Sequence, residues 1–238
     1  MRIGDLMAES GVQFGTSGAR GLAVEMTDRV CYAYTLGFLQ HAAAVGALDA
    51  GAEVALAGDY RPSTGVILSA CARAVRDLGY RPRNLGRIPS PALAAFGIAR
   101  GVPSLMVTGS HIPDDRNGIK FNLPGGEILK EDEAAIRDQW VAAPPGLFDA
   151  GGAFVPGVAD ALPPEDRAGF DDYVSRYLAF FPAGCLAGLR IGLYEHSSVA
   201  RDALHGVLSW LGAQVDRLGR SEAFVPVDTE AIRPEDVT

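Results

Sequence analysis

The chain has 238 residues, of which 48% are hydrophobic and 21% are charged, and its formal net charge at pH 7 is −8. This acidic balance, with no block of Lys and Arg, argues against nucleic acid as the main partner. Its apolar runs fall short of the roughly 20 residues that span a bilayer, and its first residues lack the pattern of a signal peptide. We therefore expect a cytoplasmic protein with no membrane partner.

The first half of the chain alternates predicted helices and strands. Thr27 can cap a helix, and a strand at residues 54–57 follows it. A second helix begins at Ser63 and has a natural stop at Gly79. Ser90 is predicted to cap a third helix. This order of elements is typical of a layered α/β domain.

Two more elements complete that domain. Pro91 and Gly101 bound the third helix, as expected for proline at a first helical position and glycine just past an end. Residues 103–107 form an apolar run that predicts a buried strand, and a last helix is expected at about residues 130–141. Because residues 119–121 return after a predicted hairpin turn, part of the sheet should be antiparallel. The predicted fold class is α/β, with a mixed sheet flanked by helices.

The chain changes character after this domain. Its length favours two domains, and proline and glycine interrupt any periodicity between residues 143 and 165. We predict a first domain at residues 1–145, a linker at 146–165 and the start of a second domain at 166–238. The second domain should contain a helix and then a strand, a helix and a strand in a βαβ unit, at residues 170–180, 190–194, 198–211 and 214–218. Two strands alone cannot easily bury both faces of a parallel sheet, so we expect the polypeptide to continue beyond Thr238.

The three cysteines, Cys31, Cys71 and Cys185, are widely spaced. Neither a disulfide framework nor a Cys-x-x-Cys metal site is indicated by that spacing. We expect all three to be buried, reduced thiols.

A polar loop carries the first sign of chemistry. Ser110 follows the strand predicted at residues 103–107, and ligands of open α/β sheets gather at the carboxyl ends of strands. The pair Asn117-Gly118 predicts a tight turn, after which Lys120 would lie close to the serine across a hairpin. Lys120 and Lys130 are the only lysines of the sequence. An ammonium can lose its proton when desolvated whereas a guanidinium cannot, and Lys120 is the better candidate for such a role.

A second loop, at residues 14–21, has the sequence Phe-Gly-Thr-Ser-Gly-Ala-Arg-Gly. Its glycines would let backbone amides approach an anion, and Arg20 adds a bidentate donor suited to phosphate. The spacing is neither that of a Walker A loop nor that of a dinucleotide fingerprint, and the segment can also be a simple turn. Residues 59–63 follow another strand and either place Arg61 at the same cleft or form a capped loop.

Together these loops resemble the α-D-phosphohexomutase family, which includes phosphomannomutases and phosphoglucomutases. Residues 14–21 are similar to the family's N-terminal loop, and Gly-Asp-Tyr-Arg-Pro-Ser at 58–63 looks like its Gly-Arg-Asp-x-Arg-x-Ser segment. Thr-Gly-Ser-His-Ile-Pro at 108–113 resembles its Thr-Ala-Ser-His-Asn-Pro phosphoserine loop. Residues 87–92 look like its Thr-Pro stretch, and residues 190–230 look like its second domain in a bacterial phosphomannomutase branch.

The resemblance implies a phosphohexomutase, with phosphomannomutase preferred. Phosphorylated Ser110 would move phosphate between C1 and C6 of a hexose 1-phosphate or 6-phosphate, through a hexose 1,6-bisphosphate that also acts as activator. His111 would contact the transferring phosphate or only pack. Lys120 would be the general base or charge stabiliser, or else a salt-bridged surface lysine. Arg20 would orient Lys120 or bind phosphate, while Arg61 and Arg116 are weaker candidates.

The resemblance also implies one Mg²⁺, bound by a phosphoserine oxygen at Ser110 and by three aspartates of an Asp-Gly-Asp-x-Asp-Arg loop. No Asp-x-Asp-x-Asp run occurs in the 238 residues. The sugar-recognition loop and the last phosphate-binding domain are missing as well, so we expect the isolated chain to bind Mg²⁺ weakly and not to turn over. The alternatives are a non-catalytic sugar-phosphate binding module and a serine hydrolase. The hydrolase fits poorly because the residues flanking Ser110 do not form Gly-x-Ser-x-Gly.

Overall fold

The computed structural model describes residues 1–15, 18–109, 112–158 and 161–226. The helices of this part of the chain are α1 (Ile3–Ser10), α2 (Asp28–Ala44), α3 (Thr64–Asp77), α4 (Ser90–Arg100), α5 (Lys130–Arg137), α6 (Ala168–Phe180) and α7 (Arg201–Trp210). Its strands are β1 (Gln13–Phe14), β2 (Gly18–Leu22), β3 (Glu53–Gly58), β4 (Arg81–Asn84), β5 (Ser104–Val107), β6 (Arg116–Leu123), β7 (Gly126–Glu127), β8 (Arg190–Tyr194) and β9 (Gln214–Leu218). None of these helices is both long and apolar enough to cross a membrane.

Seven strands form one mixed sheet. Its order is β1-β2-β6-β5-β3-β4, with β7 paired to β6. Strand β3 is parallel to both β4 and β5, whereas β6 runs antiparallel to β5 and β2. The carboxyl ends of β3, β4 and β5 therefore meet at one edge, where the loops that follow them come together.

Each face of the sheet is covered by helices, because side chains alternate between the two faces of a strand. On β3, Val54 and Leu56 belong to a large core cluster that includes residues of α2 and α3, while Ala55 and Ala57 belong to a smaller cluster formed with α4. All four residues are fully buried. This arrangement confirms the predicted α/β fold with a mixed sheet flanked by helices.

The segment after α5 packs on the larger core. Leu147 is buried there, and Phe148 and Phe154 stack at a centroid distance of 5.1 Å. Beyond it, β8 and β9 form a parallel pair, with α7 between them in sequence. The predicted βαβ unit is thereby confirmed. Helix α6 contributes Ala168, Phe170 and Tyr173 to the edge of the smaller core cluster.

Several helix ends follow the predicted signals. The side chain of Thr27 accepts a hydrogen bond from the amide of Val30 and caps α2. Gly79 and Gly101 adopt positive φ values of 81° and 64° just past α3 and α4, where a side chain would be strained. The prediction for Ser90 was displaced by one residue, since Pro89 occupies the cap position and Ser90 is already helical.

Candidate active site

The region around the predicted phosphoserine lies at the carboxyl edge of the sheet. Ser110 and His111 themselves lie outside the described residues. Gly109 follows the last residues of β5, and the amide of Ile112 donates to the carbonyl of Gly109 at 3.0 Å. The backbone on both sides of the predicted catalytic pair is thus defined at this edge.

The predicted turn at Asn117-Gly118 is wrong. Both residues lie inside β6, where Asn117 pairs with Gly21 and Gly118 pairs with Arg20. Asn117 is fully buried, and its side-chain amide donates to the hydroxyl of Ser63 at 2.9 Å. The side-chain oxygen of Asn117 accepts from the amide of Gly118 at 2.8 Å, but its amide group reaches Ser63 beside α3, and both residues pair with β2 as part of a strand.

Arg20 and Lys120 lie on neighbouring strands. In the β2–β6 register Arg20 is opposite Gly118, and Gly18 is opposite Lys120. Residues that face each other across strands share a face, as do residues two apart, so Arg20 and Lys120 project from the same face as diagonal neighbours. Gly118 also accepts a hydrogen bond from the amide of Thr108 at 3.0 Å, which continues the row from β2 across β6 to the end of β5. The strand that carries Arg20 was predicted as part of a loop, and that prediction is wrong for the residues that form β2.

The lysines have carboxylate neighbours. The ammonium of Lys120 lies 3.5 Å from an oxygen of Glu127, and its side chain is 31% exposed. Lys130 binds Glu133 at 2.8 Å and also donates to the carbonyl of Gly15 at 3.1 Å. Lys120 therefore forms the ion pair expected of a surface lysine while lying on the face that carries Arg20.

Asp59 organises the same edge from the end of β3. One carboxylate oxygen accepts hydrogen bonds from the amide of Arg61 at 3.0 Å and from the hydroxyl of Thr64 at 2.7 Å. The other accepts from the hydroxyl of Thr108 at 2.8 Å and from the amide of Gly109 at 3.2 Å. One carboxylate thus joins the start of α3 to the residues that precede Ser110.

Arg61 lies beneath the other side of that loop. Its Nη1 donates to the carbonyls of Pro113 and Arg116 at 2.7 and 2.9 Å, and its Nη2 donates to the carbonyl of Ile112 at 2.7 Å. The side chain is 3% exposed, and burial lowers the pKa of its guanidinium while the Asp59 carboxylate opposes that shift. Arg61 therefore supports the loop backbone and is closed to a phosphate in the cleft.

A second cation approaches this edge from the βαβ unit. Arg201 begins α7, and its side chain is 1% exposed. Its guanidinium carbon lies 4.8 Å from the centroid of the Tyr60 ring, and Arg87 lies over the same ring at 4.6 Å. Phe224 lies 4.8 Å from the guanidinium carbon of Arg61. Two adjacent residues of the loop after β3, Tyr60 and Arg61, thus contact the second half of the chain.

The remaining histidines and cysteines lie apart from this edge or have protein partners. His41 is buried and pairs with Asp132 at 2.8 Å. His196 adopts a φ of 52°, and burial lowers the pKa of its imidazole. Cys31 and Cys71 are buried free thiols, as predicted, but Cys185 is exposed, so the prediction for it is wrong. It lies in the turn region between α6 and β8, which the core does not cover.

Comparison with known proteins decides the family. Residues 11–143, more than half of the chain, match the family model described as phosphoglucomutase/phosphomannomutase, alpha/beta/alpha domain I. The chain belongs to this family. Its membership confirms the resemblance drawn from the loops at residues 14–21, 58–63 and 108–113.

Relatives of the family align with nearly the whole chain. A phosphomannomutase of Salmonella muenchen is 42% identical over 98% of the chain and 45% of its own length. A phosphomannomutase of Sinorhizobium fredii is 46% identical over 93% of the chain and 46% of its own length. The chain therefore spans about half the length of these curated relatives.

Solved structures of the family share the fold. A phosphoglucomutase/phosphomannomutase family protein from Burkholderia thailandensis superposes with a TM-score of 0.67 at 22% identity, over 92% of this chain and 46% of its own. The open form of parafusin from Paramecium superposes with a TM-score of 0.61 at 15% identity, over 90% of this chain and 43% of its own. Both likenesses concern the fold alone.

The metal implied by the family finds no complete ligand set here. Within the described ranges, no group of three or more His, Cys, Asp or Glu residues is arranged to hold a metal ion. The Asp59 carboxylate, which binds Thr108 and Gly109, is already engaged by four protein donors. The one ligand predicted within this chain is Ser110, which lies outside those ranges.

Two structural residues of the site were missed or misjudged from the sequence. The role of Asp59 was not predicted, although an aspartate directly after a buried strand is a usable signal for a loop-organising carboxylate. Arg61 was predicted as a candidate at the cleft, and it is buried against backbone carbonyls instead. Arg116 is exposed, and it is the carbonyl of Arg116 that Arg61 binds.

Proposed function

We propose that this chain is the phosphoryl-carrying half of a phosphohexomutase, and that its substrates are mannose phosphates. The observation that carries the proposal is the placement of Arg20 and Lys120 on one face of adjacent strands, next to the row that leads to Thr108. Two cations at that position suit a phosphoryl group on Ser110, because phosphoryl transfer is catalysed chiefly by alignment and charge stabilisation.

In the proposed reaction, a hydroxyl of the sugar phosphate attacks the phosphorus of phosphorylated Ser110. The bond from phosphorus to the serine oxygen breaks, a new bond to the sugar oxygen forms, and the hydroxyl proton passes to the released serine oxygen. Lys120 acts as the general base that relays this proton or as the ammonium that stabilises the charge on the transferring group. The bisphosphorylated sugar then returns its other phosphate to Ser110, so phosphate moves between C1 and C6. Arg20 binds phosphate oxygens or orients Lys120, and His111 contacts the transferring group.

Other parts of the assignment also stay proposals. Mg²⁺ and hexose 1,6-bisphosphate are the cofactor and activator drawn from the resemblance, and Mg²⁺ would supply charge neutralisation at the phosphoserine when bound. We propose the division into a domain at residues 1–145, a linker at 146–165 and the start of a second domain at 166–238. A cytoplasmic location stays a prediction of the sequence.

Intact-mass analysis with peptide mapping tests the role of Ser110. A full-length protein that contains this chain is expected to carry one phosphate, on Ser110, after incubation with mannose 1,6-bisphosphate and Mg²⁺. Ser110→Ala should abolish that phosphate, while Ser175→Ala, at an exposed position on α6, should keep it. An adduct of Ser110 with a fluorophosphonate probe would instead indicate a hydrolase. Neither product, combined with tight binding of the bisphosphate, would indicate a binding module.

Turnover is tested in a full-length protein that contains this chain. Ser110→Ala is expected to abolish exchange between mannose 1-phosphate and mannose 6-phosphate. Undiminished exchange in that variant would contradict the assignment. The isolated chain is expected not to turn over, so robust mutase activity from residues 1–238 alone would contradict the proposed division of the site.

A further inference from the structure

Two charged residues hold the backbone on both sides of Ser110. Asp59 binds Thr108 and Gly109 ahead of the serine, and Arg61 binds the carbonyls of Ile112, Pro113 and Arg116 after it. We infer that Arg61 is a positioning residue, which fixes the loop of Ser110 so that its phosphoryl group meets the substrate. This inference rests on the proposed function.

The guanidinium matches this task chemically. Its planar fork carries five N–H donors, and three backbone carbonyls on one side of the loop take up Nη1 and Nη2. The guanidinium supplies a charged donor to all three carbonyls, of which that of Pro113 also accepts a hydrogen bond from the amide of Arg116 at 3.2 Å. Water cannot readily replace it, because the Arg61 side chain is 3% exposed.

The position of the guanidinium is itself fixed. The Asp59 carboxylate lies 3.6 Å from Nε of Arg61, and this Nε has no hydrogen-bond partner among the described residues. The Phe224 ring lies 4.8 Å from the guanidinium carbon. A Cβ atom added to Gly109 would lie 2.1 Å from both the guanidinium carbon and Nε. Arg61 therefore occupies the space beside Gly109, and a side chain there would displace it from its three carbonyls.

Amide hydrogen exchange tests the inference on the chain itself. Arg61→Met should speed exchange of the Gly109 and Ile112 amides by roughly tenfold or more. The Ile112 amide is bonded to Gly109 across the loop that Arg61 supports, and the Gly109 amide is bonded to the Asp59 carboxylate that faces Arg61. Arg83→Met is the matched control. Like Arg61, Arg83 is paired with carboxylates and lies over an aromatic ring, but its partners are Glu53 and Asp166, away from the loop. Arg83→Met should leave the exchange rates of the Gly109 and Ile112 amides unchanged.

Two further variants separate positioning from general stability. In the native background, Gly109→Ala should strongly raise the exchange rate of the Ile112 amide, because the new methyl group displaces the guanidinium of Arg61. In an Arg61→Met background the guanidinium is absent, so the same substitution should raise that rate much less. Guanidinium ion, added well below denaturing concentrations, should slow the exchange again in Arg61→Ala. Arg61→Lys should restore little of the slow amide exchange, because a lysine ammonium cannot replace the planar set of donors of the guanidinium.

The rate of phosphate uptake by Ser110 links positioning to chemistry. In a full-length protein that contains this chain, we expect Arg61→Met to cause a large fall in the maximal rate of uptake from mannose 1,6-bisphosphate, with no change in the concentration that gives half the maximal rate. Native exchange at Gly109 and Ile112 in Arg61→Met, or equal acceleration by Arg83→Met, would overturn the inference. If the native full-length protein takes up no phosphate, the proposed function fails, and the amide measurements on the chain still decide whether Arg61 holds the loop.

Discussion

Arg201 donates through Nη2 to the hydroxyl of Tyr60 at 2.9 Å and so joins the helix after β8 to the loop after β3. Its Nη1 donates to the carbonyl of His196 at 3.0 Å and also to that of Ser221. The Tyr60 ring packs against the same guanidinium. One buried cation therefore serves three segments of the chain, and Tyr60 directly precedes the residue that supports the Ser110 loop.

Loss of this cation should be costly. We expect Arg201→Met to lower the free energy of unfolding by about 3 kcal/mol, because two carbonyls and a hydroxyl lose a charged donor in a buried place. Tyr60→Phe keeps the ring and should cost only about 1 kcal/mol. Urea unfolding measures both values.

Arg190→Met is the control for the loss of an arginine. Arg190 pairs with Asp216 at the surface, and 71% of its side chain is exposed, so its replacement should change stability little. If Arg201→Met were as stable as Arg190→Met, the interaction between Tyr60 and Arg201 would contribute nothing to stability.

Gly18 is predicted to be indispensable for the pairing of β2 with β6. A Cβ atom there would lie 2.0 Å from the carbonyl oxygen of Ile119 and 2.7 Å from Cα of Lys120. Both are backbone atoms, so the strands would have to separate. We expect Gly18→Ala to destabilise the protein by about 2 kcal/mol or more in urea unfolding, and to slow phosphate uptake by Ser110.

Gly206→Ala provides the opposite case. Gly206 lies inside α7 and an added Cβ atom would meet nothing within 4 Å. Alanine should therefore stabilise the helix by about 0.5–1 kcal/mol. A neutral result for Gly18→Ala beside a gain for Gly206→Ala would show that β2 and β6 tolerate a wider spacing than the structure has.

The sequence predicted the structure most accurately where an element is defined by its own residues and the turns beside it. Strands β8 and β9 begin and end at the predicted residues, because alternation and flanking turns define them. Strand β2 was misjudged for the opposite reason. Gly18 and Gly21 were interpreted as loop formers, yet each allows a close approach, to β6 and to Val12 respectively. Helix α1 was not predicted at all, since eight residues with a single apolar face give a weak periodic signal.

The candidate site likewise has features that the sequence predicts and features that it does not. The motif around Ser110 predicted a loop at a strand end, and Gly109 does follow β5. Lys120 was expected there because of a turn at Asn117-Gly118, which lies within β6 instead, and the roles of Lys120 and Arg20 stay predictions. What Arg61 contacts could not be predicted, because its partners are carbonyls 51–55 residues away, and a carbonyl has the same chemistry in every residue. Only the tertiary structure distinguishes a buried arginine from one that faces a ligand.

Thiol labelling should distinguish the cysteines. Burial raises the pKa of Cys71 to about 12 and also raises that of Cys31, so neither forms the reactive thiolate in the folded chain. Cys185 is exposed. A disulfide reagent should therefore label one thiol rapidly in the native protein and all three after denaturation.

The control for labelling is Cys185→Ser, in which the rapid phase should vanish. Slow labelling of the two buried thiols should then follow the rate of opening of the core. Rapid labelling of two or more thiols in the native chain would contradict the packing of α2 against α3.

His196 should make the stability of the protein depend on pH. Burial lowers the pKa of its imidazole in the folded chain, and within the part of the chain that the structure describes its Nε2 has no hydrogen-bond partner. The unfolded chain, with an ordinary pKa of about 6.5, then binds more protons than the folded chain at mildly acidic pH. The contribution of His196 to stability is therefore retained above about pH 6.5 and lost as the pH falls towards the folded-state pKa.

His196→Asn tests this directly, because asparagine tolerates the positive φ of 52° at this position. The free energy of unfolding in urea should fall less between pH 7.5 and pH 5.5 in this variant than in the native chain. His205→Asn, on the neighbouring helix, should keep the native dependence. If both variants showed the native fall in stability with acid, the buried imidazole of His196 would not be its source.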